Sequence, residues 1–277
     1  PAVKTTEATL DALGRVTQVW LPGRAKSASA SQKFSYGVNV SGVNWVKTES
    51  LRANSTYAVS YAVSDSLLRE RQTQKESANH LGGRVIVDQR YDSRGLPTFA
   101  SSYTTTSGSP DGKLVEPVQL TDIPAVTETT FDAAERPLVA LLREYGFEKS
   151  RTTTAYTGDQ VKVTPPAGGT PTTATLDLQG RTTALSRHQG ATTAATPTTT
   201  NYTYTPAGRL ASVTDAQGNV WSYTYDLAGN QMTANDPDKG LVTSTYDLLG
   251  NVTSTTDARG QGVKTVYDQV NRPVKTT

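Results

Sequence analysis

The sequence predicts an all-β protein, one long antiparallel sheet of consecutive hairpins, and three observations predict it. A phrase recurs four times: Tyr204-Thr205-Pro206-Ala207-Gly208-Arg209, Tyr225-Asp226-Leu227-Ala228-Gly229-Asn230, Tyr246-Asp247-Leu248-Leu249-Gly250-Asn251 and Tyr267-Asp268-Gln269-Val270-Asn271-Arg272. Its tyrosines stand 21 residues apart each time, a fixed period that marks a repeat architecture. Between them lies a second beat, Asp215 to Gly218, Asp236 to Gly240 and Asp257 to Gly260, so turn-starting aspartates fall every 10 or 11 residues. Thirdly, the residues between turns alternate large apolar with small polar, as in Val220-Trp221-Ser222-Tyr223-Thr224-Tyr225.

Each element follows from local chemistry. Asp at the first position of a type I turn accepts hydrogen bonds from N–H groups just ahead of it, and Gly at the fourth tolerates the positive φ of the exit. Pro237, right after Asp236, suits a second turn position where φ is fixed. Removing a four-residue turn from each half-period leaves about six or seven residues, one ordinary strand, and turn signals at this spacing read as successive hairpins. With a period of two, Trp221, Tyr223 and Tyr225 share a face. Position 225 recurs as Tyr246 and Tyr267, and position 221 as Val242 and Val263, so one aromatic per unit is expected to stack on its neighbours.

Residues 1–200 carry the phrase in worn form. Tyr91-Asp92-Ser93-Arg94-Gly95 keeps it up to Gly. Leu10-Asp11 to Gly14-Arg15 and Leu176-Asp177 to Gly180-Arg181 replace Tyr by Leu. Phe131-Asp132 to Glu135-Arg136 and Ser64-Asp65 to Leu68-Arg69 have lost the Gly. Because a non-Gly residue at positive φ is uncommon, turns of another type are expected at Glu135 and Leu68. Segments 22–32, 107–112, 164–173 and 190–200 read as loops, while 33–40, 43–47, 56–63, 84–89, 151–156 and 160–164 read as strands. Residues 135–144 suit a helix period about as well as a buried strand; strand is preferred because the regular units place one after the phrase, and 65–79 is treated alike. No domain boundary is read: 1–200 is the irregular part and 201–277 the regular part of one architecture.

The Tyr-Asp-x-x-Gly-Arg phrase with an intervening Asp-x-x-Gly resembles the YD repeats of Rhs (rearrangement hotspot) proteins, found also in shell-forming components of insecticidal toxin complexes and in teneurins. The residues that carry the resemblance are Tyr91, Asp92, Gly95, Asp177, Gly180, Tyr204, Gly208, Asp215, Gly218, Tyr225, Asp226, Gly229, Asp236, Gly240, Tyr246, Asp247, Gly250, Asp257, Gly260, Tyr267 and Asp268. It implies a sheet that winds into a curved or spiral shell around a C-terminal toxin polypeptide, within a larger exported protein, secreted or at the cell surface. Full-length members close the shell with a self-cleaving region, which is not found here; Asp236-Pro237 lies in a turn slot and receives no catalytic role.

Composition narrows the function. The 277 residues carry a formal charge of +2 with the basic residues dispersed, which favours neither nucleic-acid tracking nor an acidic tail. No run approaches the roughly 18 apolar residues of a membrane span. With no cysteine there are no disulfides or thiolate ligands. The first residue is Pro1 and the array stops on an open strand, so a processed or excised piece is expected, with unpaired sheet edges that invite self-association. His80 and His188 are each close to a Gly in polar surroundings and read as surface loop residues. Asp236 and Asp238 are too few carboxylates for a calcium loop. Nucleophile elbow, phosphate loop and His-Glu-x-x-His motifs are missing, so neither catalytic residues nor a metal or cofactor is assigned. The expected role is steric containment of a polypeptide by a wall that polar Thr and Ser positions on a face make wettable on both sides; the partners are that polypeptide and the parent chain's other repeats. A second reading is a surface module that grips glycan or protein through an exposed face or the loops. An unrecognised enzyme is the third.

Overall fold

The computed structural model describes residues 5–40, 42–78, 82–117 and 119–277. It is all-β and antiparallel, with a single 3-10 turn at Leu120–Asp122 among the described residues. The chain divides into two units, Pro1–Thr152 and Thr153–Thr277.

The first unit holds β1 (Glu7–Leu10), β2 (Val16–Trp20), β3 (Gln32–Gly37), β4 (Asn44–Leu51), β5 (Tyr57–Ser64), β6 (Glu70–Glu76), β7 (Arg84–Tyr91), β8 (Pro97–Thr104), β9 (Ala125–Phe131) and β10 (Pro137–Glu144). Each pairs antiparallel with the next in sequence. Here a strap, residues 105–124, folds back over the sheet between β8 and β9. Under it Ile86, Tyr103, Ile123 and Val126 form a buried cluster, with Phe99 and Val115 packed against it. Here an inserted segment gives the sheet a second layer to bury apolar area against.

The unit boundary falls within β11 (Phe147–Thr157). The second unit continues with β12 (Gln160–Thr164), β13 (Thr172–Leu176), β14 (Thr182–His188), β15 (Pro197–Tyr204), β16 (Leu210–Thr214), β17 (Val220–Tyr225), β18 (Gln231–Asp236), β19 (Gly240–Tyr246), β20 (Val252–Thr256), β21 (Gly262–Tyr267) and β22 (Pro273–Thr276). From β11 on, each strand again pairs with its successor. Among its described residues only Pro171, Thr173 and His188 are buried.

The two faces of this second sheet differ. Pairing sets Tyr202, Val213 and Trp221 in one cross-strand row and Tyr223, Ala234 and Val242 in another on the same face. The other face carries Thr203, Ser212, Ser222, Thr224, Thr233 and Thr243. Its hydroxyls bond across strands, Thr203 to Ser212 at 2.7 Å and Thr224 to Thr233 at 2.6 Å. From β15 to β18 alternation gathers Thr and Ser on one side and the large side chains on the other, while Thr200, Ser244 and Thr255 fall on the aromatic side.

Residues 137–144 of the segment 135–144 form a strand, as preferred, after a turn that holds Glu135, and β6 lies inside 65–79. The loop expected at 190–200 ends earlier, because β15 starts at Pro197 and pairs with β14.

Candidate functional site

The repeated feature with the most chemistry is the aspartate turn. Asp247 shows its parts. Its Oδ1 accepts the N–H groups of Leu249 and Asn251, both at 2.9 Å, and its Oδ2 accepts the Asn251 amide at 2.9 Å. The backbone closes the same loop: Asp247 N–H donates to Asn251 O and Gly250 N–H to Asp247 O. Gly250 sits at φ 84°, a conformation any Cβ would strain. The same backbone pair closes the turns that start at Asp11, Asp65, Asp92, Asp132, Asp177, Thr205, Asp215, Asp226, Asp257 and Asp268. Asp236 departs from it: the shorter turn to Gly240 has its Oδ1 accepting from Asp238 and Lys239, and its Oδ2 from the Trp221 indole at 3.1 Å.

The residue four after the aspartate completes the lock, and sequence reasoning gave it no role. At Asp11, Asp65, Asp132, Asp177 and Asp268 it is an arginine, whose Nε and Nη2 grip Oδ2 in a fork with each N–O distance between 2.7 and 2.8 Å. At Asp215, Asp226 and Asp247 it is an asparagine. These donors hold the carboxyls below the usual range. The largest cause at Asp11, Asp92, Asp132 and Asp268 is the fourth residue's N–H, and at Asp215, Asp226 and Asp247 the asparagine amide. At Asp236 it is the Lys239 N–H. At Asp65 and Asp177 partial desolvation, the largest influence, pushes upward and is outweighed by the bonds from Arg69 and Arg181.

The same lock corrects the expectation at Glu135 and Leu68. Both turns are of the common type, with Glu135 at φ 64° and Leu68 at φ 61°, and Asn271 at φ 62° in the third instance. Carboxylate, fork and two backbone bonds together impose the left-handed conformation on residues that would not choose it, at a cost of about 1–2 kcal/mol.

The tyrosines are placed differently from the expected aromatic stack. Each sends its hydroxyl to the carbonyl just past the preceding locked turn: Tyr91 to Glu70 at 3.0 Å, Tyr204 to Thr182 at 2.8 Å, Tyr225 to Leu210 at 3.0 Å, Tyr246 to Gln231 at 2.8 Å and Tyr267 to Val252 at 3.1 Å. Where that turn ends in arginine, the guanidinium covers the ring: Arg69 over Tyr91 at 4.7 Å, Arg181 over Tyr204 at 4.6 Å and Arg209 over Tyr225 at 5.7 Å. Tyr36 does the same with Arg15 and Val16. The reason is geometric. Equivalent tyrosines are two strands apart, about 10 Å at ordinary strand spacing, so the nearest partner is the turn between them.

A β-bulge accompanies every turn of this set. The strand pairs that flank Asp11, Asp65, Asp92, Asp132, Asp177, Thr205, Asp226, Asp247 and Asp268 all shift register beside the turn. The pairs that flank Asp215 and Asp257, on the opposite edge, do not. A bulge disrupts the ladder locally, and the tyrosyl hydroxyl supplies a donor there.

A second polar site is the layer beneath the strap. Gln72, Gln74 and Asp88 are almost wholly buried there. Arg71 and Arg90 stand 3.5 and 3.1 Å from the Asp88 carboxylate. Tyr103 donates to Val115 O, and burial, then Asp88 and Glu116, push its hydroxyl up to about 12.

His80 lies outside the described residues. His188 is a correction: it is buried at the end of β14, its Nδ1 bonded to Ala195 O at 2.8 Å and its Nε2 to Thr173 Oγ1 at 2.9 Å. The following segment folds back on the strand and covers the ring, which a reading of local polarity could not foresee. The bond to a carbonyl puts a proton on Nδ1.

Among the described residues no cluster of three or more His, Asp or Glu could hold a metal ion, and no helix is long and apolar enough to cross a membrane. What the geometry defines is an antiparallel β-repeat protein whose recurring chemistry is spent on holding hairpins. The RHS Repeat family model matches residues 204–241, so the chain carries an RHS/YD repeat. The structure of TcdB2-TccC3 aligns with 98% of this chain at a TM-score of 0.68 and 14% identity, and TcdB2-TccC3 without its hypervariable C-terminal region with 98% at 0.67 and 13%. A form described as TcdB2-TccC3-Cdc42 aligns likewise, at 0.67 and 13%. The likeness is one of fold, and this chain spans 17–19% of those solved chains. No curated protein sequence matches it.

Proposed function

We propose that this chain is a stretch of wall in an Rhs-type β-shell, and that its work is steric: it keeps an enclosed polypeptide, a C-terminal toxin segment of the parent protein, apart from its surroundings until release. The observation that carries the reading is the recurrence of locked hairpins along the chain, with Tyr91, Tyr204, Tyr225, Tyr246 and Tyr267 each bonded to the carbonyl just past an earlier lock. Side chains that elsewhere perform chemistry are here satisfied by one another. The fold shared with TcdB2-TccC3 and the RHS repeat at 204–241 support it. On this reading the partners are the enclosed polypeptide and the parent's other repeats, the segment is not catalytic, and the parent protein is exported.

The test is protease protection of the parent protein. The enclosed segment should survive a protease dose that degrades the same segment made alone. Equal degradation would remove the reading.

One observation favours a surface-binding module as the second reading. Tyr202, Trp221 and Tyr223 line an open depression on the second unit together with Arg187, Thr200 and Asp215. Aromatic planes beside charged groups suit a glycan. Glycan-array binding that is lost in Trp221→Ala would support this module over the wall.

A further inference from the structure

The strap of the first unit is held in an unusual way. None of residues 105–117 belongs to a strand. Instead two buried glutamines of β6 present to it the donors and acceptors of a strand edge. Gln72 accepts from Val115 N–H with Oε1 and donates to Val115 O with Nε2, both at 2.9 Å. Gln74 accepts from Asp111 N–H at 3.0 Å and donates to Lys113 O at 2.6 Å, and also to Gln72 Oε1 at 2.9 Å. Only backbone groups of the strap are read, and the chain bends at Gly112 and Lys113, so a peptide with the same bend would meet these bonds whatever its other side chains.

Side chains add a preference at both ends. Arg84 Nη1 lies 3.4 Å from Asp111 and donates to Ser109 O at 2.8 Å. Arg90 Nη2 meets Glu116 at 2.7 Å. Between them Gly112 lies flat on the Trp45 indole, where a Cβ would collide with the ring, and Val115 rests on the Ile86 and Tyr103 floor.

The fit is incomplete. Arg84 Nε, Asp88 Oδ1 and Ser101 Oγ are buried beneath the strap without a hydrogen-bond partner. Asp88 and Ser101 face each other across β7 and β8, and Asp88 is 1% exposed. Buried polar groups in a settled interior are nearly always satisfied; here the strap leaves Arg84 Nε and Ser101 Oγ unmet, while Asp88 Oδ1 has only Arg71, at 3.5 Å.

We infer that this face of the first unit is a binding site for an acidic peptide that bends at a glycine, with residues 109–116 as its resident occupant, and that a peptide of the same chemistry in trans takes their place when the strap lifts. Gln72 and Gln74 are its backbone readers, Arg84 and Arg90 its acid readers, and Trp45 the plate that demands a glycine. The site is independent of the wall reading and stands or falls apart from it.

The test uses a labelled peptide, Ser-Pro-Asp-Gly-Lys-Leu-Val-Glu, and a variant with residues 109–116 replaced by a Gly/Ser stretch of equal length. The variant should bind the peptide at least tenfold more tightly than the intact chain. Adding Gln72→Leu and Gln74→Leu, or changing both peptide acids to Lys, should each reverse that gain. No binding by a folded variant, or binding indifferent to the glutamines, overturns the proposal. Should the variant not fold, hydrogen exchange on the intact chain decides. The Asp111 and Val115 amides should exchange at least tenfold faster than the paired amides of β6 to β8. Equal rates would mean that the strap opens only with the whole unit, and the site would be lost with it.

Discussion

At the scale of the residue, the informative positions are those where the side chain contradicts its backbone. Glu135 is exposed, stands at φ 64°, and makes a turn that elsewhere ends in glycine. Left-handed geometry costs an L-residue about 1–2 kcal/mol, and glycine's extra freedom in the unfolded chain costs about 0.5–1 kcal/mol. The difference favours glycine. Glu135→Gly should therefore raise unfolding stability by up to about 1 kcal/mol in a denaturant titration, and a loss would show that Glu135 does something besides fill the turn. Asp92 teaches a related lesson. Its fork comes from Arg94, two residues on, while Leu96 takes the fourth position. The carboxylate needs a donor close by, and the backbone allows more than one place for it.

At the scale of the element, the unit is a hairpin plus the strand after it. Arg181 serves both: it forks Asp177 within its own turn and covers Tyr204 on β15. Tyr204 in turn donates to Thr182 O. Removal of either side chain should loosen the seam between β14 and β15. In a double-mutant cycle, Arg181→Ala and Tyr204→Ala should cost less together than the sum of the two, because ring and guanidinium form one contact. The coupling expected for such a pair is about 0.5–1 kcal/mol. A strictly additive pair would mean that the 4.6 Å approach carries no energy.

The arrangement also explains what the sequence could and could not disclose about elements. The 21-residue period, the turn positions and the strand identity of 135–144 were legible, because they follow from alternation and turn chemistry that act over a few residues. The bulges were not. They arise where Tyr-bearing strands meet the first residues after a locked turn, as at Tyr225 and Gln231, and that pairing exists only once both strands are in place. Nor was the partner of each tyrosine legible, since a period says which residues are equivalent and not which ones touch. One signal was available: Arg or Asn recurs four residues after Asp, the spacing a side chain needs to return to the carboxylate.

At the scale of the whole molecule, charge is the property spread most evenly. Asp11, Asp65, Asp92 and Asp132 in the first unit, and Asp177, Asp215, Asp226, Asp236, Asp247 and Asp268 in the second, all hold carboxyls below the ordinary value of 3.8. A carboxyl depressed in the folded state adds stability above its unfolded pKa, and that stability is lost as pH falls through the lower folded value. The melting temperature should thus be level from pH 7 to about 5 and fall steadily below about 4. Asp247→Ala should flatten that fall slightly, and a molecule whose melting temperature is unchanged at pH 2 would show that the locks contribute nothing.

The sequence alone determined the architecture: turns every ten or eleven residues leave room for nothing but short strands, and strands so connected pair with their neighbours. It also determined where each aspartate would stand, because a turn is closed by residues within reach of one another. Tertiary structure alone decided what each side chain would touch. Burial of His188 by the segment after it and the clasp of Gln72 and Gln74 on a strap some forty residues away both depend on contacts that form only in the folded chain. Local rules act through adjacent atoms, whereas a buried polar group waits for whatever the fold brings to it.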